Sequence, residues 1–199
     1  MNKTDRAVYS VAHKISAKTR ADRNGHRGAV VWLTGLSASG KSTLAMRGEQ
    51  RLFEKGRQVY VLDGDNVRRG LSSDLGFLPQ DRSENIRRIG EVAALFADAG
   101  VVVITAFISP YGADRALARK AAGDRYFEVY VKAPLELCEA RDPKGLYRKA
   151  RAGLIPDFTG VSAPYEPPEA PELVIDTGVQ GEDESVQLLV SFIEKWICV

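Results

Sequence analysis

The sequence predicts an α/β fold, in which a parallel β-sheet carries helices on both faces. Two observations lead to this prediction. Short apolar segments alternate with helical segments from Gly28 onward, and the first apolar segment runs directly into a glycine-rich turn and a helix. Strand, glycine-rich loop and helix in that order form a P-loop. We therefore expect a three-layer P-loop NTPase fold with ligands bound beyond the carboxyl ends of the strands.

Five strands and five main helices are expected along the chain. The predicted strands are residues 30–34, 59–62, 101–108, 127–131 and 173–175. The predicted helices are residues 42–55, 83–99, 112–122, 135–141 and 183–197. In the second helix apolar side chains recur at helical spacing from Ile86 to Phe96, and Ser83 is the expected N-cap.

Length and composition are those of one globular α/β domain. The chain has 199 residues, 44% of them hydrophobic and 27% charged, and a net charge of only +2, which gives no argument for nucleic-acid binding. We place the domain at residues 28–199. Residues 1–27 form a basic extension, expected to pack loosely or to be partly disordered.

Nothing in the sequence points to a membrane or to secretion. The most apolar segment, residues 101–108, is far too short to span a bilayer, and the N-terminus lacks the apolar core of a signal peptide. The two cysteines, Cys138 and Cys198, have no metal-binding or redox spacing, so buried or incidental thiols are expected. A cytoplasmic location follows as the default.

The glycine-rich turn carries the most specific motif of the chain. Residues 35–42 read GLSASGKS, which matches the phosphate-binding pattern G-x-x-x-x-G-K-S. The glycines let backbone N–H groups surround a polyphosphate, while Lys41 reaches the β- and γ-phosphates and Ser42 can ligate the accompanying Mg²⁺. The motif therefore predicts a nucleoside triphosphate donor.

A second constellation follows the second predicted strand, where Asp63 and Asp65 flank Gly64. Either carboxylate could hold Mg²⁺ through water or accept a proton from a hydroxyl nucleophile. The alternative is an Asx-turn in which Gly64 supplies the unusual backbone angle. Both histidines, His13 and His26, precede the domain, so an aspartate is the candidate base unless His26 folds back.

Basic and aromatic residues follow the aspartates and suggest an anionic acceptor, since guanidinium groups suit phosphate or sulfate. The residues are Arg68, Arg69, Phe77, Arg82, Asn85, Arg87 and Arg88. For each arginine the alternative is a solvated helix face. Phe77, in a turn-rich segment, could stack on a base. After the third strand, Ser109 could hydrogen-bond substrate, carry a phosphoryl group or cap a helix.

The last constellation is a basic segment between glycines and prolines. Residues 141–153 hold five basic residues, and five prolines follow between residues 156 and 171. Such a hinged segment suits a lid that closes over phosphates, and Phe158 offers a second aromatic face. The alternative is a solvated helix followed by an extended proline-rich loop.

These blocks together resemble one family, the adenylyl-sulfate kinases. The matching blocks are GLSASGKST at 35–43, LDGDNVRRGL at 62–71, DRSENIRRIGEVA at 81–93, FISPY at 107–111 and RDPKGLYRKARAG at 141–153. The resemblance, from about residue 25 to residue 177, implies transfer of the γ-phosphate of ATP to the 3′-hydroxyl of adenosine 5′-phosphosulfate (APS). The product, 3′-phosphoadenosine 5′-phosphosulfate (PAPS), belongs to sulfate assimilation.

The resemblance also implies roles for individual residues. Asp63 would orient or deprotonate the ribose 3′-hydroxyl with Asp65 nearby, and Ser42 and Asp63 would serve Mg²⁺. The implied ATP site is Gly35, Leu36, Ser37, Ala38, Ser39, Gly40, Lys41, Ser42, Thr43 and Arg141, with Arg141 against the adenine. The implied APS site is Asp65, Arg68, Phe77, Arg82, Asn85, Ile108, Ser109, Lys144, Leu146 and Phe158, the two phenylalanines enclosing the adenine. The implied catalytic set is Asp63, Lys41 and Ser109.

Ser109 is described in this family as a phosphoserine intermediate. We expect it to bind rather than carry phosphate, because an aligned 3′-hydroxyl favours direct in-line transfer.

Three residues depart from the family pattern: Ala38 replaces a glycine, Arg69 stands where histidine is common, and Gly48 should weaken the first helix.

Two further readings compete with this one: another small-molecule P-loop kinase, and a nucleotide-binding regulatory module. The family is often dimeric and is linked functionally to ATP sulfurylase, so we consider a homodimer and that link as expectations. Met1 and the short chain favour a free-standing enzyme.

Overall fold

A computed structural model of the chain describes residue 9 and residues 11–199. The strands are β1 Ala29–Thr34, β2 Val59–Asp63, β3 Val102–Ala106, β4 Tyr126–Lys132 and β5 Leu173–Asp176. The helices are α1 Ala17–Asn24, α2 Lys41–Glu54, α3 Gly64–Val67, α4 Pro79–Asp98, α5 Gly112–Ala122, α6 Leu135–Arg141, α7 Leu146–Arg151 and α8 Glu182–Ile197. Strands and helices alternate over most of this range, as the sequence predicts.

The five strands form one sheet in the order β2-β3-β1-β4-β5, and every neighbouring pair is parallel. All carboxyl ends therefore lie at one edge of the sheet. The register aligns Ala106 of β3 with Asp63 on one side and with Leu33 on the other. This alignment brings the end of β2 beside the start of the glycine-rich loop, which follows Thr34.

Each face of the sheet carries its own apolar core. On one face, side chains of α2 and α8 pack on the strands, with Leu44, Leu52 and Leu189 fully or nearly fully buried. On the other face, α4 and α5 cover Val30 and Trp32. Fully burying one large apolar side chain contributes about 1.5–3 kcal/mol, so the two cores hold the sheet rigidly between its helix layers.

Gly48 has a packing role that the sequence analysis did not anticipate. A Cβ at this position would lie 3.2 Å from Leu189 Cδ2 and 3.6 Å from Ile104 Cδ1. The glycine thus lets α2 approach α8 and the sheet closely. The conformational entropy that glycine costs in a helix interior is offset by this packing.

Two predicted boundaries are wrong by more than one residue. Helix α4 begins at Pro79 rather than at Ser83, because proline fits the first helical position, and the N-cap is Leu78. Ser83 Oγ instead donates to Asp114 Oδ2 at 2.8 Å. Strand β3 ends at Ala106, two residues early, because the chain turns towards Ser109, whose φ is +40°.

Part of the predicted N-terminal extension is ordered against the sheet. Ser16 caps α1, and Asn24 Nδ2 donates to the backbone oxygen of Gly100 at 3.3 Å. His26 is buried, and its Nε2 accepts a hydrogen bond from the N–H of Gln58 at 3.0 Å. His13 is exposed. Residues 1–8 and 10, which belong to the same predicted extension, lie outside the described residues. The domain boundary at residue 28 stays a prediction.

Cys138 is buried and Cys198 is exposed, and both thiols are free. The burial of Cys138 agrees with the expectation of a buried thiol. Among the described residues, no helix has both the length and the apolar character needed to cross a membrane.

Candidate active site

A cavity of about 1070 Å³ opens at the carboxyl edge of the sheet. Its walls come from the loops after β1, β2, β3 and β5 and from the segment around α7. The predicted residues that line it are Ser37, Ala38, Gly40, Lys41, Ser42, Thr43, Asp63, Asp65, Arg68, Phe77, Arg82, Asn85, Ile108, Ser109, Arg141, Lys144, Leu146 and Phe158. One cavity therefore contains the phosphate loop, both aspartates and the basic and aromatic residues.

Lys41 occupies the floor of the phosphate loop. Its Nζ donates to the backbone oxygens of Gly35 at 2.9 Å and Leu36 at 2.6 Å. Burial lowers the pKa of this ammonium to about 8, although Asp63 acts in the opposite direction. The buried cation is an energetically costly group that a bound polyphosphate would stabilise.

The next three carbonyls of the loop are held by side chains from other segments. The bonds run from Tyr147 Oη to Ser37 O at 3.1 Å, from Arg141 Nη1 to Ala38 O at 3.5 Å, and from Thr177 Oγ1 to Ser39 O at 2.8 Å. Since C=O and N–H of a trans peptide point in opposite directions, these bonds fix the directions of the following N–H groups as well. Such oriented N–H groups form an anion-binding concavity.

Ala38 adopts a left-handed backbone conformation, with φ at +57°. This conformation costs a non-glycine residue about 1–2 kcal/mol, which explains why glycine is usual at this position in the resembling family. The alanine therefore keeps the glycine-type geometry of the loop at an energetic cost. Arg69, the other departure from the pattern, is exposed and does not line the cavity.

Asp63 connects the phosphate loop to the second constellation. Its Oδ2 accepts a hydrogen bond from Ser42 Oγ at 2.7 Å, and its Oδ1 accepts one from the N–H of Asp65 at 3.0 Å. The Asx-turn is thus compatible with a role in binding Mg²⁺ or accepting a proton, because Asp63 caps α3 and still reaches Ser42. Two adjoining hard oxygen donors are the kind of site that Mg²⁺ prefers.

Arg82 ties together the two loops that carry the predicted aromatic pair. Its Nε donates to the backbone oxygen of Phe77 at 2.8 Å, and its Nη1 and Nη2 donate to Thr159 Oγ1 at 3.0 Å and to the backbone oxygen of Asp157 at 2.5 Å. Phe158 lies between these last two residues. The guanidinium therefore positions both sides of the acceptor end of the cavity.

Arg68 and Asn85 add polar groups at the same end, and Arg68 Nη1 donates to the backbone oxygen of Gly76 at 2.8 Å. The Arg68 guanidinium lies 4.5 Å from the centre of the Phe77 ring, and its pKa is lowered by burial and by the nearby charge of Arg82. Asn85 is buried and lines the cavity, and its Oδ1 has no hydrogen-bond partner. The two adjacent guanidinium groups suit the anionic part of a ligand, and the unpaired amide oxygen suits a hydrogen-bond donor such as a hydroxyl or an amino group.

The basic lid predicted at residues 141–153 contains the last residue of α6, the turn that follows it, and α7. The N-cap of α7 is Gly145, and the Asp142 carboxylate accepts from the N–H groups of Tyr147 and Arg148 in the first turn of this helix. Lys144 Nζ donates to Asp65 Oδ2 at 2.5 Å, which joins the segment to α3 across the cavity mouth. The segment includes a helix, as the alternative interpretation expects, and it also lines the cavity, whereas its closure as a lid stays a prediction.

Ser109 turns its hydroxyl into the protein. The residue is 2% exposed, and its Oγ accepts a hydrogen bond from Trp32 Nε1 at 3.1 Å. Its backbone oxygen accepts from Arg115, which also pairs with Glu128 at 2.8 Å. The left-handed φ of Ser109 is therefore held from both sides, and the residue lines the cavity at the end of β3.

Several predicted residues lie elsewhere. Arg87 pairs with Glu84, and Arg88 pairs with Glu84 and Asp74, so neither guanidinium belongs to the acceptor end. His26 lies beside Gln58, before β2, at the opposite edge of the sheet, so it does not fold back to the site. Gly35, Leu36 and Ser39 belong to the phosphate loop but do not line the cavity.

Other residues of the site were missed. Thr177 directly follows β5, so the rule that ligands meet the carboxyl ends of parallel strands could have identified it. Tyr147 has no such signal, because only the fold shows that its hydroxyl reaches Ser37. Gln180, Glu182 and Ser185 extend the cavity towards α8.

Comparison with known proteins agrees with this geometry. Residues 27–176 match the family model described as adenylylsulphate kinase. An adenylyl-sulfate kinase of Geotalea uraniireducens is 63% identical over 175 residues, which cover 87% of this chain and 84% of the relative. One from Staphylococcus epidermidis is 55% identical and covers 92% of each chain.

Among solved structures, the APS kinase of Mycobacterium tuberculosis in complex with AMPPNP and APS is similar to this chain. It has a TM-score of 0.81 and 52% sequence identity, and the match covers 84% of this chain and 98% of that one.

Proposed function

The chain belongs to the adenylyl-sulfate kinase family, and from that premise we propose which of its residues carry the reaction. The enzyme transfers the γ-phosphate of ATP to the 3′-hydroxyl of APS and releases ADP and PAPS. Phosphoryl transfer requires a held donor, an aligned acceptor and neutralised charge, and little covalent chemistry from the protein. The proposal therefore assigns side chains to these three tasks.

The observation that carries the proposal is the continuity of one cavity. It runs from Lys41 and Ser42 past Asp63 to Arg82 and Asn85, with no separating wall among the described residues that line it. A nucleotide on the phosphate loop and an anionic nucleotide at the other end would meet near Asp63. The unpaired Oδ1 of Asn85 supports a polar ligand at the acceptor end.

On the donor side, the loop from Gly35 to Gly40 and Thr43 would enclose the β-phosphate, and Lys41 would neutralise charge that develops on the transferred group. Arg141 would lie against the adenine, since it lines the cavity and donates to the backbone oxygen of Thr177 at 2.7 Å. Its bonds to Thr177 and Ala38 would hold the guanidinium plane beside the loop.

On the acceptor side, Phe77 and Phe158 would enclose the adenine of APS, with Ile108 and Leu146 completing the apolar wall. Arg68, Arg82 and Asn85 would hold the phosphosulfate and ribose, and Lys144 and Asp65 would close the mouth. Asp63 would orient the 3′-hydroxyl and accept its proton. A carboxylate that accepts two hydrogen bonds already is held in a fixed orientation for that task.

We propose that the phosphoryl group passes directly to the 3′-hydroxyl. Ser109 would bind at the edge of the acceptor site without being phosphorylated. Its hydroxyl oxygen is engaged by the Trp32 indole, and the residue is almost completely buried. A covalent step would require that side chain to leave this contact.

The residues present fit a Mg²⁺ ion. Ser42 Oγ and Asp63 Oδ2 would hold it, directly or through water, and among the described residues no cluster of three or more His, Cys, Asp or Glu competes for it. When bound, Mg²⁺ neutralises phosphate charge in P-loop kinases. Phosphate oxygens and water would supply the other ligands.

The biological setting is also proposed. A cytoplasmic enzyme of residues 28–199 preceded by a basic extension, assembled as a homodimer and receiving APS from ATP sulfurylase, is consistent with the family. The neighbouring readings, another small-molecule kinase or a regulatory module, differ from it in the acceptor that stimulates turnover.

A coupled assay of ADP release tests the proposal with APS, adenosine 5′-monophosphate and gluconate as acceptors. We expect ADP release that depends on APS and a 3′-phosphorylated product. Equal stimulation by gluconate would support another small-molecule kinase. No stimulation by any acceptor, with nucleotide still bound, would support a regulatory module.

A further inference from the structure

Tyr147 touches both halves of the active site without lining the cavity itself. It belongs to α7, in the basic lid, and is 2% exposed. Its hydroxyl donates to the backbone oxygen of Ser37 in the phosphate loop at 3.1 Å. Its ring packs edge-on against Phe158, with ring centres 5.1 Å apart.

Each of these two partners faces a different substrate. Ser37 lines the donor end of the cavity and Phe158 the acceptor end. Behind them, Tyr147 shares a small apolar cluster with Cys138 and Ala150, against which Leu36 and Leu146 also pack. A tightly packed cluster transmits small shifts rather than absorbing them.

The hydrogen bond also has a specific effect on the loop. It fixes the carbonyl of Ser37 on the side of the lid, and the N–H of Ala38 points the opposite way because the two groups share one peptide plane. Ala38 is the residue with the left-handed backbone. The conformation of the loop that suits a phosphate and the position of α7 are therefore joined by one bond.

We propose that Tyr147 is a positioning residue that couples the two substrates, so that nucleotide on the phosphate loop strengthens the binding of APS beside Phe158. This inference rests on the function proposed above. Phosphate on the loop would stabilise the Ser37 peptide in its present orientation, which in turn stabilises α7 and the Phe158 wall. By linkage, APS would strengthen nucleotide binding by the same factor.

Calorimetric titration of APS with and without saturating AMPPNP tests the proposal on the full chain. The dissociation constant without AMPPNP divided by that with AMPPNP is the coupling factor, and we expect it to be about 5 to 150 in the wild type. Tyr147→Phe removes only the hydroxyl and keeps the ring against Phe158. We expect the coupling factor to fall by about three- to tenfold, the contribution of one hydrogen bond.

Tyr126→Phe is the matched control. Tyr126 is also almost completely buried, but its ring packs on Trp32 and its hydroxyl has no partner. Its coupling factor should equal that of the wild type. Thermal unfolding of both variants should stay within about 2–4 °C of the wild type, so that a change in coupling is not a loss of folding.

The outcomes separate this inference from the function on which it rests. An unchanged coupling factor in Tyr147→Phe, an equal fall in both variants, or a wild-type factor of one would overturn the role of Tyr147 while leaving APS as the acceptor. Failure of the wild type to bind APS in either titration would instead overturn the proposed function. A fall confined to Tyr147→Phe supports the coupling.

Discussion

The donor and acceptor ends of the cavity are built in different ways. At the donor end, each carbonyl from Gly35 to Ser39 accepts a bond from a side-chain donor, and the Lys41 ammonium is buried beneath the loop. At the acceptor end, Phe77 is 67% exposed, and the Lys144–Asp65 ion pair lies in solvent. The first region is preorganised, whereas the second is open at its mouth.

The difference follows from chain topology. The phosphate loop is one short segment between β1 and α2, so local sequence specifies its type, and Tyr147, Arg141 and Thr177 then hold three of its carbonyls in place. The acceptor end needs α3, the start of α4, the loop after β3 and the lid, which are far apart in sequence. Exposed ion pairs contribute little, about 0–1 kcal/mol, so bound substrate rather than Lys144 and Asp65 must order that end.

The largest effect is expected at the junction of the two ends. Asp63→Asn keeps an acceptor for the N–H of Asp65 but removes the carboxylate charge and the base. We expect kcat to fall by about 10²- to 10⁴-fold, with AMPPNP affinity changed by less than about tenfold. Steady-state kinetics and calorimetry measure the two quantities.

Asp98→Asn serves as the control, because Asp98 pairs with Arg125 away from the cavity and should leave kcat unchanged. Near-normal turnover in Asp63→Asn would remove Asp63 from the role of base.

The next largest effect is expected on the KM for APS, with little change in the KM for ATP. Arg82→Ala removes three hydrogen bonds at the acceptor end and a cation for the phosphosulfate. Because charge-assisted bonds are the stronger ones, we expect KM for APS to rise by about 10- to 100-fold and KM for ATP to change by less than about twofold.

Arg87→Ala provides the comparison within the same helix. Arg87 pairs with Glu84 and does not line the cavity, so both KM values should stay within about twofold of the wild type. Equal effects of the two substitutions would mean that charge in α4, rather than the geometry of Arg82, governs APS binding.

A smaller effect is expected from pH at the donor end. Burial lowers the pKa of Lys41 from its ordinary value of 10.5 to about 8. Polyphosphate binding favours the ammonium, so AMPPNP affinity should fall by up to about tenfold per pH unit above pH 8, with proton uptake on binding. Calorimetry in buffers of different ionisation enthalpy measures that uptake.

The stability contribution of Lys41 has the opposite sign. Between about pH 8 and 10.5 the unfolded chain binds more protons at this site, so the contribution of Lys41 to the free energy of unfolding rises with pH.

Lys41→Arg stays charged and should bind AMPPNP without proton uptake. Proton uptake that persists in this variant would place the titrating group elsewhere.

The smallest effect tests the strain in the phosphate loop. Ala38→Gly removes the cost of the left-handed alanine but adds the entropy cost of glycine. We expect a net gain of about 0.5–1 kcal/mol in the free energy of unfolding, measured with denaturant.

Ala116→Gly is the control in a regular, exposed position of α5 and should lose about 1 kcal/mol. If both variants were destabilised equally, the backbone of Ala38 would not be strained.

The same contrast explains what could be predicted from the sequence. The five strands and five main helices were predicted correctly apart from small boundary shifts, because strand–helix alternation has clear periodicity. The P-loop and Asp63 lie next to strand ends, where local sequence suffices. Helices α1 and α3 were not predicted, and α7 was predicted only as an alternative for residues 141–153, since short helices are stabilised by capping and packing rather than by periodicity.

The remaining errors concern side-chain partners. Arg82 and Arg87 look equivalent in sequence, yet only Arg82 lines the cavity, because at 3.6 residues per turn a separation of five residues points the two side chains about 140° apart around the helix. Tyr147 gave no signal because its role depends on Ser37, which lies 110 residues away. Such partnerships arise from tertiary packing alone.

The most direct test of direct transfer between the two ends uses ATP with a chiral, isotopically labelled γ-thiophosphate in a single turnover with APS. One in-line transfer across the cavity predicts inversion of configuration at phosphorus in the product. Net retention would require two transfers, and would show that a protein group such as Ser109 carries the phosphoryl group between them.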